Sequence, residues 1–362
     1  MGRSKLKLSY VDHRKDPDGW ASALGVSREA VDLYLQSEVI DLHVDSFIWT
    51  RVFGYRLTKR HGQGPLGARF FFQSDLPRLR EACVTGATWV ITTNPLRTAR
   101  GRARAFSRNL KRLREILSSV PDECAVVRNA AEYRAARARG QHAAFIGIQG
   151  GNALDRDLDA LDLITDDSVV RITLVHLSSS RIGSTSSPLG RADRGLSDFG
   201  KAYVERLNDR KILVDLAHIG KAGFWDAVAV HDRSKPLIVT HTGVSGVHPH
   251  WRNLDDDQLR AVADSGGTVG IMYHSEFLGD GLWRGRAASI VRHLEHVIRT
   301  VGDDFVSLGS DWDGAIWTPR DMPTCLELPR LVQIMLDRGF AAETIRKVLG
   351  ENFLRVVASL RG

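Results

Sequence analysis

The stretch "LSDFGKAYVERLNDRKILVDLAH", residues 196–218, sets two patterns side by side: an amphipathic segment over 197–211, then an apolar run over 212–218 that ends on a histidine. A short apolar run flanked by helical material is how a parallel strand covered on both faces reads. The same pairing recurs along the chain. Apolar runs stand at "VIDLHVD" (39–45), "ATWVITT" (87–93), "AFIGIQ" (144–149) and "VVRITLVH" (169–176). Further runs follow "ILVDLAH" (212–218) at "PLIVTH" (236–241), "TVGIMYH" (268–274) and "FVSLGSD" (305–311). A second clear helical segment is "NLDDDQLRAVADSGG" (253–267), with Asn253 as the expected N-cap and the glycine pair as the stop. Eight strands alternating with helices predict a (β/α)8 TIM barrel. Residues 39–362 then form one barrel domain, residues 1–38 an N-terminal helical extension, and residues 46–80 a long first loop.

Bulk properties narrow the class. At 362 residues and 43% hydrophobic content the chain can bury a large core, which excludes disordered and fibrous classes. The net charge of +7 mildly favours anionic partners. Its densest source, "RTARGRARAFSRNLKRLREIL" (97–117), sets Arg and Lys around Leu110, Leu113, Ile116 and Leu117 at helical spacing. That pattern reads as a solvated helix face with an apolar stripe, and no nucleic-acid partner is expected. Cys83, Cys124 and Cys325 are odd in number and far apart, with no CxxC pair, so a reducing, cytoplasmic location is expected. The N-terminal residues contain no apolar run, and no membrane partner is expected.

The last residues of the eight runs carry the chemistry: Asp45 with His43 two before it, Thr93, Gln149, His176, His218, His241, His274 and Asp311. In a barrel of this kind all these ends face one mouth, where such folds place their sites. Residues i and i+2 of a strand point the same way, so His43 and Asp45 can face one ion. Any one histidine at a strand end has a structural explanation. Five of the thirteen in this position, with aspartates on the first and last strands, make a nitrogen and oxygen ligand set suited to zinc or a similar divalent ion. His248 and His250 flank Arg252 and read as structural supports, while His293 and His296 are expected to pack at a helix surface.

At these residues the chain resembles the membrane dipeptidase (renal dipeptidase) family of zinc peptidases in the amidohydrolase superfamily. The matching stretches include "IDLHVDSF" (40–47), "QSDLPRLREACVTGA" (73–87), "GIQGGNALD" (147–155), "ITLVH" (172–176), "PLIVTHTGV" (236–244), "HWRNLDDDQL" (250–259), "SLGSDWDGA" (307–315) and "VLGENFLRV" (348–356). The resemblance implies that His43, Asp45 and Asp311 surround one zinc and that His218 and His241 surround a second. It also implies that His176 touches the scissile carbonyl and that Arg252 pairs with the free carboxylate of a dipeptide-like substrate. Asp311 could accept the proton of the attacking water. Homodimers are common in the family.

Two departures stand out. Where the family carries a glutamate bridging both ions, this chain has Gln149, which lends an oxygen but no charge. Two neighbouring dications need anionic bridges, so one zinc is expected to bind tightly and the second weakly or not at all. This leaves three alternatives: a working dipeptidase, a retuned mononuclear enzyme acting on a non-dipeptide amide, or a catalytically impaired binding barrel. The second departure is the serine-rich loop "LSSSRIGSTSSPLGRADRG" (177–195), which could bring Arg181, Arg191 and Arg194 to the mouth.

Overall fold

All eight apolar runs form strands, each parallel to its neighbours. A computed structural model describes residues 7–188 and 192–362, so the first six residues and Arg191 lie outside the described part. The strands are β1 (Ile40–Val44), β2 (Gly86–Thr92), β3 (Cys124–Val126), β4 (His142–Gln149), β5 (Val169–Thr173), β6 (Leu213–Asp215), β7 (Leu237–Thr242), β8 (Thr268–Ile271) and β9 (Val306–Leu308). Their order is β1-β2-β4-β5-β6-β7-β8-β9, with β3 added beside β4. Residues just beyond β9 return to β1: Asp311 N–H donates to the His43 carbonyl at 3.1 Å, and Asp45 N–H to the Trp312 carbonyl at 2.9 Å. The result is a nearly closed barrel of eight parallel strands ringed by helices, as the alternation predicts. The three-residue β3 is the addition that the pattern did not signal.

Six of the eight strands end before their apolar runs do, while β4 ends with its run at Gln149 and β7 one residue past it. His176, His218, His274 and Asp311 were expected as final strand residues, and each lies three residues past its strand. The physical reason is visible at β6. The Asp215 carboxylate accepts the N–H groups of Ala217 and Thr240 at 3.1 and 3.0 Å, taking the place of ladder bonds. His218 and Asp311 then adopt φ of 66° and 62°, a left-handed backbone that no ladder continues.

The N-terminal residues hold α1 (Pro17–Leu24) and α2 (Arg28–Gln36), capped by the side chains of Asp16 and Ser27. The expected first loop is helical at both ends, in α3 (Phe47–Val52) and α4 (Leu76–Glu81), because Asp75 caps the second of these. Then follow α5 (Ala99–Leu117), α6 (Ala130–Ala138), α7 (Asp198–Asp209), α8 (Lys221–Val230), α9 (Asp256–Asp264) and α10 (Ala287–Val301). The chain closes with α11 (Leu328–Asp337), α12 (Ala342–Arg346) and α13 (Asn352–Arg361). In α5, Leu110, Leu113 and Leu117 are buried as their spacing predicts. In α13, Phe353, Val356 and Val357 join a buried cluster with Ile40, Phe145 and Leu213 of three strands. Among the described residues no helix is long and apolar enough to cross a membrane.

Two local expectations are corrected. The N-cap of α9 is Asp255, in a reciprocal capping box with Gln258, and not Asn253. Asn253 instead braces the preceding loop, accepting the Gly243 N–H and donating to the His248 and Phe277 carbonyls. His293 and His296 are not surface groups. His293 is fully buried and accepts the Val244 N–H at 2.9 Å, and His296 Nε2 lies 2.7 Å from Asp256.

The barrel wall leaves no room at Gly309 and Gly270, where an added methyl would fall on the Thr240 backbone carbonyl. Replacing Gly309 by alanine should cost about 1–3 kcal/mol. Urea unfolding should show a lower midpoint with an unchanged slope.

Candidate metal centre

The expected ligands come from several strands of the wall. Asp41 of β1 fixes the seam, since its carboxylate accepts the N–H groups of His43 and Ser310 at 2.9 and 3.0 Å. That places His43, Asp45 and Asp311 on one rim. His241 comes from within β7, Gln149 ends β4, and His218 and His176 follow β6 and β5. All of these side chains are buried except His176, which is half-buried.

The coordinating atoms of His43, His241 and Asp311 lie within 4.8 Å of one another. His43 Nε2 is 3.7 Å from Asp311 Oδ1 and 3.9 Å from Asp45 Oδ2. His218 Nε2 and His241 Nε2 approach to 2.8 Å, which requires either a shared proton or a cation to which both lone pairs point. The rings of His43 and His241 are only 3.9 Å apart, so the side chains expected around two ions form one continuous cluster. His176 packs edge-on against His218 at 4.6 Å. Gln149 donates from Nε2 to Asp45 Oδ2 at 2.9 Å, and the Thr92 hydroxyl donates to the other Asp45 oxygen.

Burial governs the charge state of the cluster. It holds His43 and His176 down to about 4, and His218 and His241 well below the ordinary histidine value. Burial and the charge of Asp45 push Asp311 well above the usual carboxylate range. For Asp45 burial acts upward too, but His43 and Thr92 outweigh it and hold the carboxyl below its ordinary value. The mouth therefore gathers neutral imidazoles and two crowded carboxyls, a set whose electrostatics a cation would invert. His43 Nε2, Gln149 Oε1 and His218 Nδ1 are buried with no hydrogen-bond partner. These unpartnered polar atoms beside imidazole and carboxyl groups fit a divalent ion of the zinc type.

Arg252 is buried, donates from Nη2 to the His241 carbonyl at 2.5 Å and leaves its Nε without a partner. Burial lowers it to about 10. Other expected residues lie elsewhere. Arg181 stacks over Phe199 at 4.0 Å and donates to the Arg156 carbonyl, which fastens its loop to the scaffold. Arg194 is exposed, and His274 accepts the Trp317 N–H. The serine-rich loop does reach the site through backbone: Ser186 N–H donates to the His218 carbonyl at 2.8 Å.

Sequence reasoning missed Arg171 and Asp215, although a charged residue inside an apolar run was the available signal. Both are fully buried and pair at 2.9 Å. Arg171 also donates from Nη2 to His43 Nδ1 at 2.7 Å, so the other ring nitrogen, Nε2, is the one left free toward the two carboxyls. Gly147 makes the space, since a methyl there would stand 2.6 Å from Arg171 Nε.

The sequence profile described as "Membrane dipeptidase (Peptidase family M19)" matches residues 27–361. The chain belongs to this family. Among solved structures, it is similar to dipeptidase AC, a metallopeptidase of family M19. The TM-score is 0.75 at 28% identity, covering 90% of this chain and 99% of that one. It is also similar to a metallopeptidase from Rhodobacter sphaeroides carrying a phosphinate mimic of the dipeptide L-Ala-D-Ala. There the TM-score is 0.75 at 26% identity, covering 89% of this chain and 98% of that one. An uncharacterized protein in the pqqA 5' region of Klebsiella pneumoniae is 36% identical over 169 residues, which span 46% of this chain and 61% of that protein.

Removing one member of a buried ion pair strands the other. Arg171→Met should therefore destabilise the fold by about 3–5 kcal/mol. The double variant Arg171→Met/Asp215→Leu should recover much of that loss in urea unfolding. A double variant as unstable as the sum of both single changes would show that the pair has no energetic coupling.

Proposed function

We propose that the protein is a metal-dependent hydrolase of dipeptide or dipeptide-like amide bonds. The observation that carries this reading is the convergence of His43, His241 and Asp311 at the barrel mouth in a chain of the M19 family. In this reading His43, Asp45 and Asp311 hold a tightly bound zinc, and His218 and His241, with Gln149 beside them, form a weaker second position. A divalent ion there supplies Lewis acidity toward the amide carbonyl and makes water nucleophilic near neutral pH. The protein's own groups do the rest. Asp311, ionised beside a bound cation, would accept a proton from the attacking water at a carboxylate oxygen and return it to the leaving amine. His176, neutral through burial, donates a hydrogen bond to the carbonyl oxygen as negative charge develops there. Arg252 offers its planar fork to the substrate's terminal carboxylate.

The mononuclear preference rests on Gln149. Its amide nitrogen is engaged with Asp45, and its oxygen adds no charge to offset a second dication. This favours, as a second reading, a retuned site acting on a non-dipeptide amide. A cytoplasmic location, a homodimer and the division into a 1–38 extension and a 39–362 barrel complete the proposal. Their support is the scattered free cysteines, the family resemblance and the two helices ahead of β1.

Protein purified without chelator should retain one equivalent of zinc after dialysis, read by metal analysis; two retained equivalents would refute the mononuclear assignment. On a dipeptide panel, Asp311→Asn should lower kcat by about 10²–10⁴. Silence on dipeptides with turnover of N-acyl or cyclic amides would shift the assignment to the second reading. Inert wild-type protein that gains dipeptide hydrolysis through Gln149→Glu would identify an impaired barrel.

A further inference from the structure

The basic segment at 97–117 has no part in the metal centre, yet its surroundings are not those of a plain solvated face. Arg97, just ahead of α5, and Arg102, Arg108 and Arg112 of α5 line a cavity of about 250 Å³ that Arg51 of α3 also lines. Thr92 and Thr93, at the end of β2, contribute to the same wall. Five guanidinium groups thus share one concavity, and among the described residues no carboxylate lines it.

The compensation for this charge is thin. Arg102 pairs with Asp155 at 2.6 Å. Arg51 and Arg112 each donate to a backbone carbonyl, of Thr92 and Thr50. Among the described residues, Arg97 and Arg108 have no side-chain hydrogen bond or ion pair. Burial holds the half-buried Arg51 below the ordinary arginine value against the opposing charge of Asp45, and the like charges of Arg97 and Arg112 add to the lowering. Four cations without a facing carboxylate repel one another across a partly desolvated space, and an anion placed between them turns each repulsion into an attraction.

We propose that this cavity binds a compact multivalent oxyanion, a phosphate group or a small polycarboxylate, through the guanidinium forks of Arg51, Arg97 and Arg108. Planar forks match both oxyanions, and the small volume suits a ligand of few heavy atoms. The site is distinct from the metal centre but adjoins it through one residue. The Thr92 carbonyl accepts from Arg51 while its hydroxyl donates to Asp45.

Isothermal titration of the purified protein with inorganic phosphate and, separately, with citrate tests this at matched ionic strength against sodium chloride. One saturable site is expected for at least one of the two anions. Tighter phosphate binding identifies a phosphoryl ligand, and tighter citrate binding a carboxylate ligand. Arg97→Ala/Arg108→Ala should weaken that binding at least about tenfold, a loss near 1.4 kcal/mol. Both side chains are exposed and unpaired, so the fold should be untouched. Because either anion could instead engage a metal, His43→Ala serves as the control and should retain the binding. Heat no different from chloride, or binding kept in the arginine variant and lost in His43→Ala, would overturn the proposal. The readout is binding and not hydrolysis, so its failure leaves the hydrolase reading standing.

Discussion

A guanidinium and a carboxylate, both sealed from solvent, set the geometry of the barrel interior. Arg171 leaves β5, passes the gap at Gly147, meets Asp215 of β6 and ends on the ring of His43 in β1. β1 and β5 are not neighbours in the sheet, so this side chain ties together strands that share no ladder. Thr173 and Thr240 complete the arrangement by donating their hydroxyls to the same Asp215 oxygen. An unpaired charge at this depth would be prohibitively costly, and the pair is tolerable because each partner is satisfied several times over. The pair is neutral as a whole. It orients His43 without adding net charge beneath a site that must attract cations.

The same accounting applies to the carboxyls at the mouth. Asp45 is ionised and receives two donors, the Gln149 amide and the Thr92 hydroxyl. Asp311, lacking such donors, favours its proton. A glutamate at position 149 would place a third carboxyl against Asp45 with no hydrogen to give, and only added positive charge would relieve it. In the proposed mononuclear assignment, glutamine exchanges affinity for a second ion for a cluster that is closer to balance on its own.

The barrel was legible because eight apolar runs with helical spacers leave few other solutions. The candidate site was legible for a related reason: strand direction sends every run's end to one mouth, so His43, Asp45, His218, His241 and Asp311 could be placed together there, although the sequence set His241 with His218 and the structure brings it against His43 and Asp311. What stayed hidden was pairing across long separations. Arg171 is visible in its run as an oddity, but nothing local shows that its partner lies 44 residues on. Nor does a local pattern distinguish Asn253 from Asp255 as the cap of α9, since both are good caps and the choice went to the residue spaced for a reciprocal bond with Gln258. His293 sits at a position that helix spacing permits to be either surface or core, and it was decided by a backbone N–H from another element, at Val244.

One further constraint links the site to the long first loop. Two residues beyond Asp311, the buried carboxylate of Asp313 accepts the Ser46 hydroxyl and the N–H groups of Gln73 and Ser74, while its own N–H donates to the Gln73 side chain at 2.6 Å. Trp49 of α3 donates its indole N–H to the Asp313 carbonyl at 2.7 Å. Both ends of the first loop are thus pinned to the segment that carries Asp311. A loop of this length costs entropy to hold, and backbone N–H groups on a buried carboxylate are a strong way to offset it. The first loop and Asp311 therefore sit on one rigid frame. A change in this loop's sequence that spares those contacts leaves Asp311 where it is.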